Sequence, residues 1–153
     1  MAAGKIIGFI FSIIAIIFSV LFIMQSNLSF DLDTYFDFSF KSYFSLDYLR
    51  KITPLIINLI LLYGGILLIF KPLKSNPVLA LFGFTILEEV LFNWFGVINI
   101  NYPSYIIFIL LCCAILSVWI AYTNTINQKR LSFKEGASSL FIGTLINLSS
   151  YYL

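Results

Sequence analysis

The chain contains no histidine, and charge of either sign is scarce: nine Lys and Arg and seven Asp and Glu, 10% of the residues. Soluble proteins average about 25% charged residues. Without imidazole, haem irons, copper centres, catalytic zinc sites and most general-base schemes lose their usual ligand or base. No cofactor is therefore expected, and no metal is specified. The net charge of +2 is too small and too scattered for a nucleic-acid footprint. Cysteine is nearly absent as well. Cys112 and Cys113 are neighbours in an apolar run, would point about 100° apart on a helix, and read as small packing residues.

What the chain does have is apolar surface: 61% hydrophobic residues and a mean hydropathy of +1.01. No stretch is polar enough and long enough to fold as a soluble module. Residues 1–153 thus read as a single integral membrane domain, all-α, a polytopic bundle of four or five transmembrane helices. The expected spans are residues 6–24, 52–70, 78–98 and 105–124. The first carries no internal charge, exceeds the roughly 7–15 residues of a secretory signal core, and is followed by MQSNL, which offers no small-residue cleavage site. It reads as an uncleaved span.

Between the first two spans, residues 28–51 change period. Leu28, Phe30, Leu32, Phe36, Phe38 and Phe40 alternate with Ser29, Asp31, Asp33, Asp37, Ser39 and Lys41. Period two is a strand signal and predicts a short extracytoplasmic β-hairpin-like loop, followed by a capped helix start at Ser45-Leu46-Asp47-Tyr48. So short a hairpin has no core of its own. Two readings stay open: an aromatic belt on the headgroup layer, or a contact for a partner subunit centred on Phe36, Phe38 and Phe40.

In the second span Pro54 falls in the first turn, where its missing N–H matters least. Gly64 and Gly65 allow close backbone approach, and Asn58 and Tyr63 are candidate interhelical hydrogen-bonding groups. Lys71 to Pro77 reads as a basic turn in which two prolines stop both helices. The tail from Gly136 to Leu153, with a possible fifth span or membrane-associated helix at residues 137–153, carries Gly136, Ser139, Gly143, Asn147 and Ser150 on one stripe and Phe141, Leu145, Leu148 and Tyr152 on another. A small-residue stripe without Lys or Arg favours a fifth span packed on protein, with Gly143 and Asn147 at the contact, over a helix lying on the surface.

The third span holds the most unusual feature, the adjacent acids Glu88 and Glu89. A helix over residues 78–98 puts both near the bilayer midplane, where ionisable groups are rare and mark function. Insertion scales assign each about 2.5–3.5 kcal/mol there. Helical spacing sets Thr85, Glu89, Asn93 and Gly96 on one polar stripe and leaves Glu88 among Phe84, Leu91, Phe92 and Phe95. No Lys or Arg lies within a span, so at least one of the two acids is expected to carry its proton at neutral pH.

Glu88-Glu89-Val90-Leu91-Phe92-Asn93 is similar to the first motif of the CAAX-protease and bacteriocin-processing intramembrane enzymes, a Glu-Glu pair followed by two apolar residues, Phe and Arg. The likeness covers six residues. Asn93 stands where that family has Arg, and its later histidine motifs have no counterpart in a chain without histidine, so proteolysis is not implied.

Basic residues divide as Lys5, Lys71, Lys74, Lys129, Arg130 and Lys134 on one side against Lys41, Arg50 and Lys51 on the other. That division predicts a cytoplasmic N-terminus and an external loop 28–51, in a membrane of the prokaryotic plasma type. The expected partners are the lipid bilayer and either larger integral membrane proteins or further copies of the chain. The expected function is a small accessory or structural subunit of a membrane complex. The alternative is a proton- or cation-handling component using Glu88 and Glu89, with Thr85, Asn93, Asn58 and Tyr63 as relay groups.

Overall fold

A computed structural model describes residues 2–25, 46–97, 103–123 and 130–151. Five helices account for nearly all of them: α1 (Ala2–Gln25), α2 (Leu46–Phe70), α3 (Pro72–Trp94), α4 (Ser104–Tyr122) and α5 (Phe133–Tyr151). No strand occurs among the described residues. The alternating segment read as a hairpin, with Phe36, Phe38 and Phe40, lies outside them. Four helices are long and apolar enough to cross a membrane: Ala3–Met24, Ile52–Phe70, Pro72–Trp94 and Ser104–Tyr122.

Isoleucine, valine and phenylalanine crowd these segments and would favour strands on a half-wet surface. In hydrocarbon each backbone N–H and C=O must find a partner within the structure, and a helix supplies that locally. The prolines interrupt less than the sequence suggests. α2 runs from Leu46 without a break, so Pro54 lies inside the helix rather than in its first turn. Lys71 alone separates α2 from α3, which starts with Pro72 at its first position and continues through Pro77. The predicted turn at 71–77 is thus a one-residue joint followed by helix. Pro72 is accommodated because its missing N–H would be unbonded in a first turn anyway.

The end of α3 also moves. Gly96 adopts φ 71°, its N–H donates to the Asn93 carbonyl, and the Val97 N–H donates to Phe92. These two bonds make a Schellman cap, for which a left-handed glycine is the favoured residue. The helix therefore stops at Trp94 rather than at residue 98, and Gly96 leaves the polar stripe to act as a terminator.

Packing runs α1 on α2, α2 on α3, and α3 against both α4 and α5, with α5 also touching α2. Lipid tails are as apolar as leucine, so close fit and interhelical hydrogen bonds hold such helices together rather than the hydrophobic effect. Small residues mark the contacts. A Cβ on Gly8 would stand 2.6 Å from the Gly65 carbonyl oxygen, and one on Gly65 would stand 2.7 Å from the Gly8 oxygen. Gly83 likewise meets Ala114 and Val118 of α4. Phe11, Ala15, Leu61, Leu79, Phe82 and Ile120 fill the centre. Outward, α1 shows Ile6, Phe9, Ile13, Ile16 and Val20, a continuous apolar face that water would not tolerate.

The fifth helix is inside-out. Gly136, Ser139, Gly143 and Asn147 are buried, whereas Leu140, Phe141, Ile142 and Leu145 are exposed. A helix on a water-soluble protein arranges these the other way round. Its start is fixed by a reciprocal cap. The Ser132 N–H and hydroxyl donate to Glu135 Oε2 at 2.9 and 2.8 Å, and the Glu135 N–H donates back to Ser132 Oγ at 3.3 Å.

Candidate functional site: two acids in two interfaces

Consecutive residues on a helix point about 100° apart, and the neighbours of α3 turn that angle into two separate environments. Glu88 faces α5. Its Oε1 accepts a hydrogen bond from Thr144 Oγ1 at 2.8 Å, and Asn147 lies beside the same carboxyl. Asn147 is fully buried and donates through Nδ2 to the Thr85 carbonyl at 2.9 Å. Gly143 leaves the room: a Cβ there would come within 2.9 Å of Thr85 Oγ1 and 3.4 Å of Glu88 Oε2. One turn and more away, Ser139 donates to the Pro77 carbonyl at 3.1 Å. Ser139, Gly143 and Asn147 thus form a polar seam that seats α5 on α3, and Glu88 lies at one end of it.

Glu89 faces the other way, toward α1, α2 and α4. It is 5% exposed and lines a small cavity together with Asn58, also 5% exposed, and apolar side chains. Thr85, one turn earlier, is buried and donates its hydroxyl to the Leu81 carbonyl at 2.8 Å, so it belongs to the helix backbone and the α5 seam rather than to the cavity.

Of the six groups read as one intramembrane polar site, the structure brings Glu88 and Thr85 together at the α5 seam and Glu89 and Asn58 together at the cavity. Asn93 and Tyr63 are exposed and belong to neither. Of the residues read as contacts, Gly64, Gly65, Gly143 and Asn147 pack within the chain, while Phe36, Phe38 and Phe40 lie outside the described residues. Gly65 packs on α1, Gly64 on Leu79 of α3, and Gly143 and Asn147 on α3.

Position along the helix changes as well. With α3 spanning Pro72–Trp94, its midpoint is Gly83, and at about 1.5 Å per residue the acids lie roughly 8–9 Å beyond it toward the C-terminal end. They are off-centre, not at the middle of the span.

Thr144 is the residue that spacing alone missed. It lies on neither of the two stripes that flagged α5, and only the angle at which α5 crosses α3 delivers its hydroxyl to Glu88. Among the described residues no group of three or more Cys, Asp or Glu side chains could hold a metal ion. Comparison with known protein families, with characterised proteins and with solved structures finds no match for this chain.

Proposed function

We propose that this chain is a small accessory or structural subunit of a larger integral membrane complex, with five membrane-embedded helices. The observation that carries this reading is Tyr63. It stands near the middle of the Ile52–Phe70 span, is 55% exposed, and makes no hydrogen bond among the described residues. A phenol directed into hydrocarbon without an acceptor is costly; a neighbouring subunit supplying that acceptor removes the cost. The separation of Glu88 from Glu89 supports the same reading, because two acids in different interfaces act as packing groups more readily than as a shared carboxylate pair. The inverted polarity of α5 supports its placement in the membrane.

The contacts also support an orientation. Gly8 against Gly65 and Ser139 against Pro77 gather Lys5, Lys71, Lys74, Arg130 and Lys134 at one end of the bundle. That gathering supports a cytoplasmic N-terminus by the positive-inside rule. The cavity beside Glu89 then lies in the external half.

Gentle-detergent extraction followed by native mass spectrometry tests the assignment. A larger partner in fixed stoichiometry is expected, with a photo-crosslinking residue at position 63 capturing it; recovery of the chain solely as monomer or homo-oligomer refutes it. The second reading, proton or cation handling, draws on the Glu89–Asn58 cavity. It requires Glu89→Gln to abolish function while leaving assembly intact.

A further inference from the structure

Phe18 and Phe22 of α1 and Ile106 and Leu110 of α4 close the cavity on its apolar sides, and Asn58 and Glu89 are its two polar side chains. Its volume, counted as room for water centres, is about 20 Å³. One water needs roughly 10–15 Å³ on that measure, so the space admits a water molecule and excludes a hydrated ion or an organic ligand. Asn58 Oδ1 is buried and has no hydrogen-bond partner. An amide oxygen accepts two hydrogen bonds, and leaving it with none in a helix interface is what interior waters commonly relieve.

The geometry points to a built hydration site: one ordered water held between α2 and α3, donating a hydrogen to Asn58 Oδ1 and contacting the Glu89 carboxyl. A bare metal cation fits worse, since Ca²⁺ takes about six to eight oxygens and Mg²⁺ a near-octahedral set, and two side chains fall well short. The site gives the adjacent acids different surroundings, Glu89 touching water inside the bundle and Glu88 partly buried at the α5 seam, hydrogen-bonded to Thr144. It holds whether or not the chain works within a larger complex.

The test is a water-to-protein nuclear Overhauser experiment on the full chain in lipid nanodiscs, reading the Asn58 side-chain amide protons, assigned by their loss in Asn58→Leu. A cross-peak to water is expected in the wild type and in Glu88→Gln, and its disappearance is expected in Ile106→Phe, which fills the cavity and leaves Asn58 in place. Absence of the cross-peak in the wild type overturns the proposal. So does its survival in a folded Ile106→Phe protein. Displacement of the water signal by sodium, calcium or magnesium chloride, but not by choline chloride of equal ionic strength, also overturns it in favour of a cation site.

Discussion

Thr144 Oγ1 lies 2.8 Å from Glu88 Oε1 and 3.0 Å from the Leu140 carbonyl oxygen, yet a hydroxyl has a single hydrogen to give. A protonated Glu88 resolves the competition: its O–H donates to Thr144 Oγ1, and Thr144 donates to Leu140. An ionised Glu88 would claim the Thr144 hydrogen and put negative charge on Oε2, buried and without a partner, where a neutral carbonyl oxygen is less costly to leave unpaired. We therefore expect Glu88 to carry its proton at neutral pH. Glu88→Gln, whose amide still donates to Thr144, should then cost less than about 1 kcal/mol. Thr144→Val, nearly isosteric but unable to accept or donate, should cost about 1–2 kcal/mol, within the range of buried hydrogen-bond losses and membrane-protein cycles. Equilibrium unfolding in mixed micelles, followed by circular dichroism, measures both. Were Glu88 ionised, its bond to Thr144 would be charge-assisted, and Glu88→Gln should cost about 1.5–3 kcal/mol; that result would refute the reasoning. Infrared spectroscopy gives an independent check, a protonated carboxyl band at pH 7 that Glu88→Gln removes. Finding both acids ionised at pH 6 would be equally fatal to it.

Gly65→Ala should destabilise the α1–α2 pair by about 1–3 kcal/mol in the same assay, because its new Cβ meets the Gly8 carbonyl, part of the backbone of α1 that cannot yield without moving the helix. Gly96→Ala should cost about 1–2 kcal/mol through its positive φ alone, since nothing lies within 4 Å of the added methyl; a loss of similar size in Gly96→Asn would argue against that cause. Ser132→Ala should fray the first turn of α5 and cost about 1 kcal/mol, seen as faster hydrogen exchange confined to the amides following position 132.

Apolar run length alone carried most of the architecture. Residues 6–24, 52–70 and 105–124 read as spans because nothing in them competes with a helix in hydrocarbon; α1 and α2 cover the first two, and α4 covers residues 105–122 of the third. The small and polar stripe of residues 136–147 likewise foretold the face by which α5 packs. The third span was misplaced at both ends for local reasons. Pro77 looks like a stop, but a helix already under way from Pro72 continues through it. Gly96 looks like one more member of a stripe, yet it is free to turn left-handed and end the helix.

That adjacent acids lie in an apolar run, and so diverge by about 100° on a helix, is legible from residue order alone. Which neighbour each would meet was not legible there. That depends on where α5 and α2 cross α3, with Gly143 seated against Thr85 and Gly64 against Leu79. Tertiary packing alone gave Glu88 the Thr144 hydroxyl and gave Glu89 a cavity shared with Asn58. One pattern of two carboxylates thereby became a helix clasp and a separate polar pocket.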